Sequence, residues 1–448
     1  MGVLMQAFYW DCPREENQEH AWWNFVATKL AELRSAGFTA LWLPPASKAA
    51  NIGGMSMGYD VYDYYDLGEF AQKCVSPGEK RTWFGSKDEL KALITAAHAK
   101  GMKLYADLIL NHNNGADSRE QNPIINQERW TRFTPQSNIF TRDWSCFNPS
   151  PYPDSDTNAF GDMPDLCHTN PRVMTGVLTH AKWLIEHIGF DGFRYDFVKG
   201  FGGWIVRAIH DRSYTRDGAT VDIYGVGECW DSDVKIEDWL DSVNQWAVFP
   251  RVGAFDFPFR YRLKDLCDTP GFSLRTLADG GGLMRDRPFE AVTFVDNHDF
   301  RGNGSDEIVN DKMLAYACIL THEGYPCVYW KDYFRYGLGE PGEPSGIERL
   351  VRVHESHAGG GTNVLYADDL FYAMERTGTD DQPGLVFALN NSGGTIGHSV
   401  QTSFPGKVLK PLAWRAKDAI YNPPAVTTDA DGRCQIEAPH RGYVVYGV

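Results

Sequence analysis

The chain has 448 residues, of which 43% are hydrophobic and 23% are charged, and its formal net charge is −16. This composition is typical of a soluble globular protein with one large domain and a smaller one beside it. The acidic balance argues against a nucleic acid or an anionic membrane as partner, because both require a basic face.

Aromatic residues make up 13% of the chain. They are compatible with a generous core and equally with a sugar-binding surface, on which flat rings pack against pyranose faces. The nine cysteines are an odd number without close, regular spacing. At least one thiol is therefore expected to be unpaired, and most are expected to be buried.

No apolar run reaches the roughly 18 residues of a membrane span. The run Val3–Trp10 is too short for the core of a signal peptide, and it predicts a strand instead. We expect either a cytoplasmic protein or an extracellular one whose signal peptide has been removed, and we favour the extracellular location.

Short apolar or β-branched runs alternate with amphipathic stretches, which is typical of repeated βα units. Strands are predicted at Val3–Trp10, Phe38–Pro44, Lys103–Leu110, Gly192–Val198, Ile223–Cys229, Gly253–Phe257, Ala291–Asp296 and Pro326–Trp330. Helices are predicted at Trp22–Ala36, Lys87–Lys100, Pro171–Ile188 and Asp311–Leu320. Eight strands with helices between them close as a (β/α)₈ barrel, whose active site lies in the loops after the C-terminal strand ends.

Two segments depart from this alternation. About sixty residues between Leu110 and Pro171 are rich in polar and turn-forming types, and a loop of that length is usually a functional insertion. From about Ala358 onward the pattern changes to short strands, predicted at Val364–Tyr366, Leu370–Glu375, Gly384–Ala388 and Gly442–Tyr446. We therefore predict an α/β protein with a barrel at 1–110 and 171–357, a domain inserted after the third strand at 111–170, and a C-terminal antiparallel β-sandwich domain at 358–448.

Three predicted strands end in acidic segments that contain Asp196, Glu228 and Asp299. The first two are separated by about one βα unit and the last two by about two units, so all three side chains are expected at one mouth of the barrel. Crowded carboxylates raise one another's pKa, so one can act as an acid while another acts as nucleophile, as retaining glycoside hydrolysis requires. A helix cap or ion pair would explain one such residue, but not three together.

Three further residues lie beside these carboxylates in the sequence. Arg194 precedes Asp196 by two residues and so points to the same face of its strand, where it can keep the nucleophile ionised. His112 and His298 follow the third and seventh predicted strands, where they can bind substrate hydroxyls. For a lone histidine, a structural role is at least as common.

Five segments in order carry a resemblance to a known family. They are Asp107–His112, Met163–Leu166, Gly192–Lys199, Gly227–Glu228 and Phe294–Asp299. They resemble the principal motifs of the α-amylase family of glycoside hydrolases (family 13), and they are most similar to its archaeal and plant-like branch. Met5–Trp10 and Met57–Asp63 extend the resemblance over nearly the whole chain.

The resemblance implies roles that the spacing does not provide. It makes Asp196 the nucleophile, Glu228 the acid/base and Asp299 the stabiliser of the transition state. It implies that Tyr59 stacks on the sugar whose bond is broken, with His112, Arg194 and His298 around it, and that Lys199 and Trp230 lie on the leaving-group side. Ordinary packing is the alternative for Tyr59 and Trp230.

The resemblance also implies a Ca²⁺ ion that ties the inserted domain to the barrel. The matching ligands are Asn111, Asp156, Asp165 and the backbone carbonyls of Asn158 and Gly200. All are hard oxygen donors, as Ca²⁺ prefers, although the aspartates could instead form loop turns. Archaeal relatives carry an adjacent zinc site; Cys167 matches its cysteine, but Asn148 and Pro153 stand at its histidine positions, so we expect no zinc.

The implied activity is endo-hydrolysis of internal α-1,4-glucosidic bonds in starch, glycogen and maltooligosaccharides, with retention through a covalent glycosyl-enzyme. One alternative is an α-glucosidase or an α-glucan transglycosylase that uses the same site. Another is a non-catalytic carbohydrate-binding homologue, from which at least one of the carboxylates would be expected to be missing. We expect an α-glucan as partner, no nucleic acid or membrane partner, and a monomer.

Overall fold

A computed structural model of the chain describes residues 2–50, 55–73, 76–153, 159–279, 281–301 and 306–448. Eight parallel strands form a closed barrel in which each strand pairs with its neighbours in chain order. They are β1 (Leu4–Gln6), β2 (Ala40–Trp42), β3 (Lys103–Leu108), β4 (Gly192–Tyr195), β5 (Tyr224–Gly227), β6 (Val252–Phe255), β7 (Ala291–Phe294) and β8 (Tyr325–Tyr329). The predicted barrel is confirmed, and each predicted strand overlaps one of these.

Helices lie between the strands, as the amphipathic stretches predicted. They are α1 (Trp22–Ala36), α2 (Lys87–His98), α3 (Pro171–Trp183), α4 (Gly203–His210), α5 (Asp233–Val243), α6 (Phe257–Asp268), α7 (Arg275–Asp279), α8 (Leu283–Asp286), α9 (Lys312–Thr321) and α10 (Ile347–His357). A capping box between Ser86 and Glu89 fixes the start of α2. Among helices in the described ranges, none combines the length and the apolar character needed to cross a membrane.

The prediction that Phe257 ends the sixth strand is wrong, because this residue begins α6. The Asp256 side chain accepts a hydrogen bond from the Phe259 N–H at 3.0 Å, and Pro258 occupies the first turn. An aspartate cap followed by an early proline is a strong helix start, which here ends the strand at Phe255.

The chain divides into two compact units. The first contains Met1–Gln6, Leu33–Thr39 and Asp256–Val448, and the second contains Ala7–Glu32 and Ala40–Phe255. Strands β2 to β6 belong to the second unit, and β1, β7 and β8 belong to the first. The boundaries proposed for the inserted domain, 111–170, remain a prediction.

In the second unit, the register of the parallel strands places residues of the candidate active site opposite one another. Asp107 on β3 is the direct partner of Arg194 on β4, and Arg194 is in turn the partner of Val226 on β5. Short hairpins decorate this unit, and they pair Lys48–Ala49 with Val61–Asp63, Ser118–Asn122 with Gln127–Arg132, and Tyr214–Arg216 with Ala219–Val221.

The C-terminal part of the first unit is antiparallel, as predicted. Its strands are β9 (Thr362–Ala367), β10 (Phe371–Arg376), β11 (Leu385–Asn390), β12 (Ile396–Gln401), β13 (Val408–Arg415), β14 (Val426–Thr427), β15 (Arg433–Ala438) and β16 (Gly442–Gly447). Six of them form one sheet in the order β9-β10-β11-β16-β13-β14, and β12 pairs with β15. Residues such as Phe371, Val386 and Ile436 form a buried core to which both sheets contribute.

The cysteines of the described ranges are all buried and none forms a disulfide. They are Cys12, Cys146, Cys167, Cys229, Cys267, Cys318, Cys327 and Cys434. This confirms the prediction that most are small buried apolar groups. Cys74 lies outside the described residues.

Candidate active site

One guanidinium group contacts three carboxylates near the C-terminal ends of β3, β4 and β5. Arg194 Nη1 donates to Asp107 Oδ1 at 2.8 Å and to Asp196 Oδ1 at 2.7 Å, and Nη2 lies 2.9 Å from Glu228 Oε2. The Arg194 side chain is only 1% exposed, so solvent screens these interactions little. The structure thus brings together two of the three predicted carboxylates and the predicted arginine.

The backbone places Asp196 and Glu228 side by side. The Asp196 N–H donates to the Leu108 carbonyl at 3.2 Å, and the Glu228 N–H donates to the Tyr195 carbonyl at 2.9 Å. Both residues therefore continue the ladder one position beyond their strands. Their side chains are 10% and 11% exposed, so a ligand can reach each of them.

The turn after β4 also orients Glu228. Phe197 has a left-handed backbone with φ of 44°, which ends the strand, and its N–H donates to Glu228 Oε2 at 2.9 Å. A non-glycine residue with this φ is strained unless its surroundings hold it. The strained turn thus directs a backbone donor at a carboxylate.

Asp107 completes the cluster, although sequence reasoning did not select it as a site residue. Its side chain is buried, and its Oδ2 accepts hydrogen bonds from Trp42 Nε1 at 3.0 Å and from the Tyr59 hydroxyl at 2.9 Å. Burial raises the pKa of Asp107, and the charge of Arg194 opposes that shift. Its position opposite Arg194 in the strand register was the missing signal, and register is not visible in one sequence.

Two predicted substrate residues border the cluster. The Tyr59 ring stacks on Trp10 with ring centroids 6.1 Å apart and lies 5.8 Å from the Arg194 guanidinium. His112 Nε2 lies 2.9 Å from the Tyr59 carbonyl, and its ring stacks at 4.8 Å on Phe160, which is 44% exposed. Burial lowers the pKa of His112 to about 4, so its ring is neutral at pH 7. Phe160 was not predicted, since it follows no strand.

Lys199 and Trp230 are also brought together. Lys199 Nζ donates to the Trp230 carbonyl at 2.8 Å and lies 3.9 Å from Asp231 Oδ2. The two residues follow Asp196 and Glu228 on neighbouring strands, so this contact links the two loops that carry the carboxylates. The Trp230 ring is half-buried.

Asp299 and His298 lie after β7, in the first unit. Asp299 is 24% exposed, and its carboxylate lies 3.4 Å from both His298 Nε2 and Arg301 Nη2. The side-chain Nε2 of Gln6 lies 2.9 Å from His298 Nδ1. Because an amide nitrogen can only donate, His298 Nδ1 is the acceptor, and the neutral ring carries its proton on Nε2, which faces Asp299. The placement of Asp299 with Asp196 and Glu228 remains a prediction.

Three of the predicted calcium ligands lie close together. The Leu166 N–H donates to the Asn111 carbonyl at 2.9 Å, which places Asp165 beside the end of β3. A Cβ at Gly200 would lie 1.9 Å from Asn111 Oδ1, so the backbone of residue 200 packs directly on that oxygen. These are hard donors that fit Ca²⁺. Asp156 and Asn158 lie outside the described residues.

Comparisons with known proteins agree with this geometry. A family model described as the α-amylase catalytic domain matches residues 16–245. An α-amylase of Geobacillus stearothermophilus is 32% identical, over 96% of this chain and 84% of that protein. A glucan 1,4-alpha-maltohexaosidase of Bacillus sp. (strain 707) is 30% identical, over 96% of this chain and 89% of that protein.

A solved structure shows the same fold. The α-amylase of Geobacillus thermoleovorans, complexed with acarbose, matches with a TM-score of 0.68 at 21% identity, over 99% of this chain and 97% of that one. The family match and the two relatives are sufficient to assign the chain. It belongs to the α-amylase family of glycoside hydrolases.

Proposed function

We propose that this chain is an endo-acting α-amylase that works as a monomer on starch, glycogen and maltooligosaccharides and retains the anomeric configuration. The observation that carries the proposal is the Arg194 guanidinium that bridges Asp196 and Glu228. Retaining enzymes need a nucleophile and an acid/base about 5 Å apart. Because each of the two carboxylates contacts a terminal nitrogen of the same guanidinium, they lie close together, as this chemistry requires.

In the proposed mechanism, Asp196 attacks the anomeric carbon while Glu228 protonates the glycosidic oxygen. The 2.7 Å contact from Arg194 keeps Asp196 ionised and aimed, and the Phe197 N–H fixes the orientation of Glu228. Water then attacks the same carbon, Glu228 accepts the proton, and the product keeps the α configuration. The family resemblance supports Asp299 as the third carboxylate, which stabilises the oxocarbenium-like transition state.

The remaining predicted residues would hold the glucan. Tyr59 offers a ring that Trp10 and the Asp107 carboxylate already fix, so little entropy is lost when a sugar stacks on it. His112 and His298 would bind hydroxyls, and the Lys199–Trp230 pair would contact the leaving-group side. Membership in the archaeal and plant-like branch remains a prediction, since the relatives named above are bacterial.

We also propose that the chain binds Ca²⁺ through Asn111, Asp165 and the Gly200 carbonyl, with Asp156 and Asn158. The close packing of Gly200 on Asn111 supports this set, because it leaves no room for a side chain at residue 200. Asn111 follows β3 and Gly200 follows β4, so an ion there would tie together the strand ends that carry Asp107 and Asp196. Its contribution would be structural.

Product analysis tests the proposal. Soluble starch would be incubated with the wild type, with Glu228→Gln and with the control Glu32→Gln, which alters an exposed ion-paired glutamate on α1. We expect mixed α-anomeric maltooligosaccharides from the wild type and the control, and a rate lower by about 10³-fold or more in Glu228→Gln. Glucose as the only product, transfer to sugars, β-anomers, or an active Glu228→Gln enzyme would contradict it.

A further inference from the structure

Three large apolar side chains project into solvent from one short loop between α5 and β6, at residues 244–251. Trp246, Val248 and Phe249 are 73%, 88% and 79% exposed. Three highly exposed large apolar side chains, two of them aromatic, within four consecutive residues are unusual unless they bind something. Neither ring is used by the proposed active site.

The Asn244 side chain joins the two ends of this loop by hydrogen bonds. Asn244 Nδ2 donates to the Val252 carbonyl at 2.8 Å, and Asn244 Oδ1 accepts from the Arg251 and Val252 N–H groups at 3.2 Å each. The Asn244 carbonyl accepts from the Ala247 N–H at 2.9 Å. These hydrogen bonds hold the loop in a defined turn.

The backbone of Trp246 is itself unusual. Its φ of 71° lies in the left-handed region, which bulky residues rarely adopt and which persists only when the surroundings enforce it. At 73% exposure the Trp246 side chain gains little packing against the described residues in return for this strain. A preformed aromatic platform, in contrast, lowers the entropic cost of binding a ligand.

Polar side chains of the same loop contact α4 and the residue that follows it. Arg207 Nη1 donates to the Ser242 carbonyl at 2.9 Å and also contacts the Gln245 side-chain oxygen, and Arg251 Nη2 contacts Asp211 Oδ1 at 2.6 Å. Planar amide, guanidinium and carboxylate groups in and against the same loop can bind the hydroxyls of a sugar while the rings cover its apolar face.

The loop lies at the opposite end of the strands from the catalytic carboxylates. Glu228 follows the C-terminal end of β5, whereas residues 244–251 precede β6, and β5 and β6 are parallel with Gly225 opposite Val252. A sugar bound at this loop therefore cannot be an extension of the cleft over Asp196 and Glu228.

We propose that loop 244–251 is a second α-glucan-binding site, in which Trp246 and Phe249 stack on glucose units of a polymer. The inference rests on the proposed function, because the ligand class is that of the proposed substrate. A second copy of the chain fits less well. The three side chains present roughly 450 Å², against the roughly 800 Å² per partner of a stable interface, and a net charge of −16 repels a like partner.

Adsorption to granular starch tests the site. The Glu228→Gln background would prevent digestion, and the double change Trp246→Leu/Phe249→Leu would keep apolar side chains but remove the flat rings. Trp246→Tyr/Phe249→Tyr is the matched control that keeps two rings. We expect the leucine variant to adsorb about 10-fold or more weakly, because one of two linked contacts is lost, and the tyrosine variant to adsorb like its parent.

A second readout separates this site from the cleft. In the active background, the leucine variant should hydrolyse a short p-nitrophenyl maltotrioside within about two-fold of the wild-type rate, as expected for surface substitutions. Unchanged adsorption of the leucine variant, or a wild-type dimer that this variant converts to a monomer, would overturn the inference. A wild type that adsorbs through these rings but does not cut starch would refute the proposed function alone.

Discussion

Replacing Arg194 by methionine should destabilise the protein by several kcal/mol. Removing one partner of a buried ion pair costs about 3–5 kcal/mol, because the other charge is left without compensation. Arg194 contacts three carboxylates at 2.7 to 2.9 Å, and those side chains are at most 11% exposed. We therefore expect a loss near the upper end of that range, about 5 kcal/mol.

The loss should depend on pH in a defined direction. In the wild type, burial raises the pKa of Asp107 and Arg194 opposes this shift, so the Arg194→Met change removes the main lowering effect and raises that pKa further. A carboxyl with a raised folded-state pKa contributes stability while it is protonated and loses it as the pH rises through that pKa. The deficit of the variant should therefore be larger at pH 8 than at pH 5, by about 1.4 kcal/mol per unit of additional shift.

Urea unfolding at both pH values, followed by tryptophan fluorescence, measures these differences. Arg194→Lys is the matched control, since it keeps the charge but lacks the planar fork that reaches three carboxylates, and it should lose less stability than Arg194→Met. A methionine variant within about 1 kcal/mol of the wild type at pH 8, where the pair-breaking cost should be about 5 kcal/mol, would refute the reasoning.

Three further outcomes follow from other contacts in the structure. Gly200→Ala should weaken Ca²⁺ binding by about 10-fold or more, because its Cβ would meet Asn111 Oδ1, while Gly361→Ala, in open space, should not; calorimetric titration with Ca²⁺ checks both. Tyr59→Phe, which removes only the hydroxyl bonded to Asp107, should lower kcat/KM less than Tyr59→Ala, which also removes the stacking ring. Burial lowers the pKa of His322 to about 4, so the stability present above its ordinary pKa of 6.5 is lost as the pH falls toward 4. On going from pH 7 to pH 5, the wild type should therefore lose about 2 kcal/mol of unfolding free energy through this histidine, and His322→Phe should not show that loss.

Hydrophobic alternation was sufficient to predict the order of the barrel strands, because each βα unit repeats the same burial pattern. It did not predict where strands end. The left-handed turn at Phe197 stops β4 with a residue type that gives no sequence signal, whereas the Asp256 cap with Pro258 was a readable signal for the start of α6.

Several C-terminal strands were not predicted for a related reason. Strand β13 (Val408–Arg415) contains Pro411 at a bulge, and a proline argues against an ordinary paired strand. Strand β12 (Ile396–Gln401) has one buried residue, Val400, so it resembles a loop in sequence. Strand β15 (Arg433–Ala438) alternates buried Cys434, Ile436 and Ala438 with exposed polar residues, which is a strand signal that the sequence prediction missed.

Within the active site, strand spacing predicted Asp196 and Glu228 at one mouth of the barrel with Arg194 on the same face as Asp196, but not that one guanidinium contacts both carboxylates. The role of Asp107 depends on its pairing opposite Arg194, and the contact of Phe160 with His112 depends on how the insertion folds back. Such relations join residues far apart in the chain, so neither spacing nor periodicity can reveal them.

Covalent trapping tests the central claim most directly. Glu228→Gln would be incubated with an α-glucosyl fluoride, whose fluoride needs no proton from the acid, and the peptide that carries Asp196 would be analysed by mass spectrometry. The proposed mechanism predicts a glucosyl adduct on Asp196 that accumulates because the base for the second step is missing. Release of an inverted sugar with no adduct, or an adduct on another carboxylate, would contradict it.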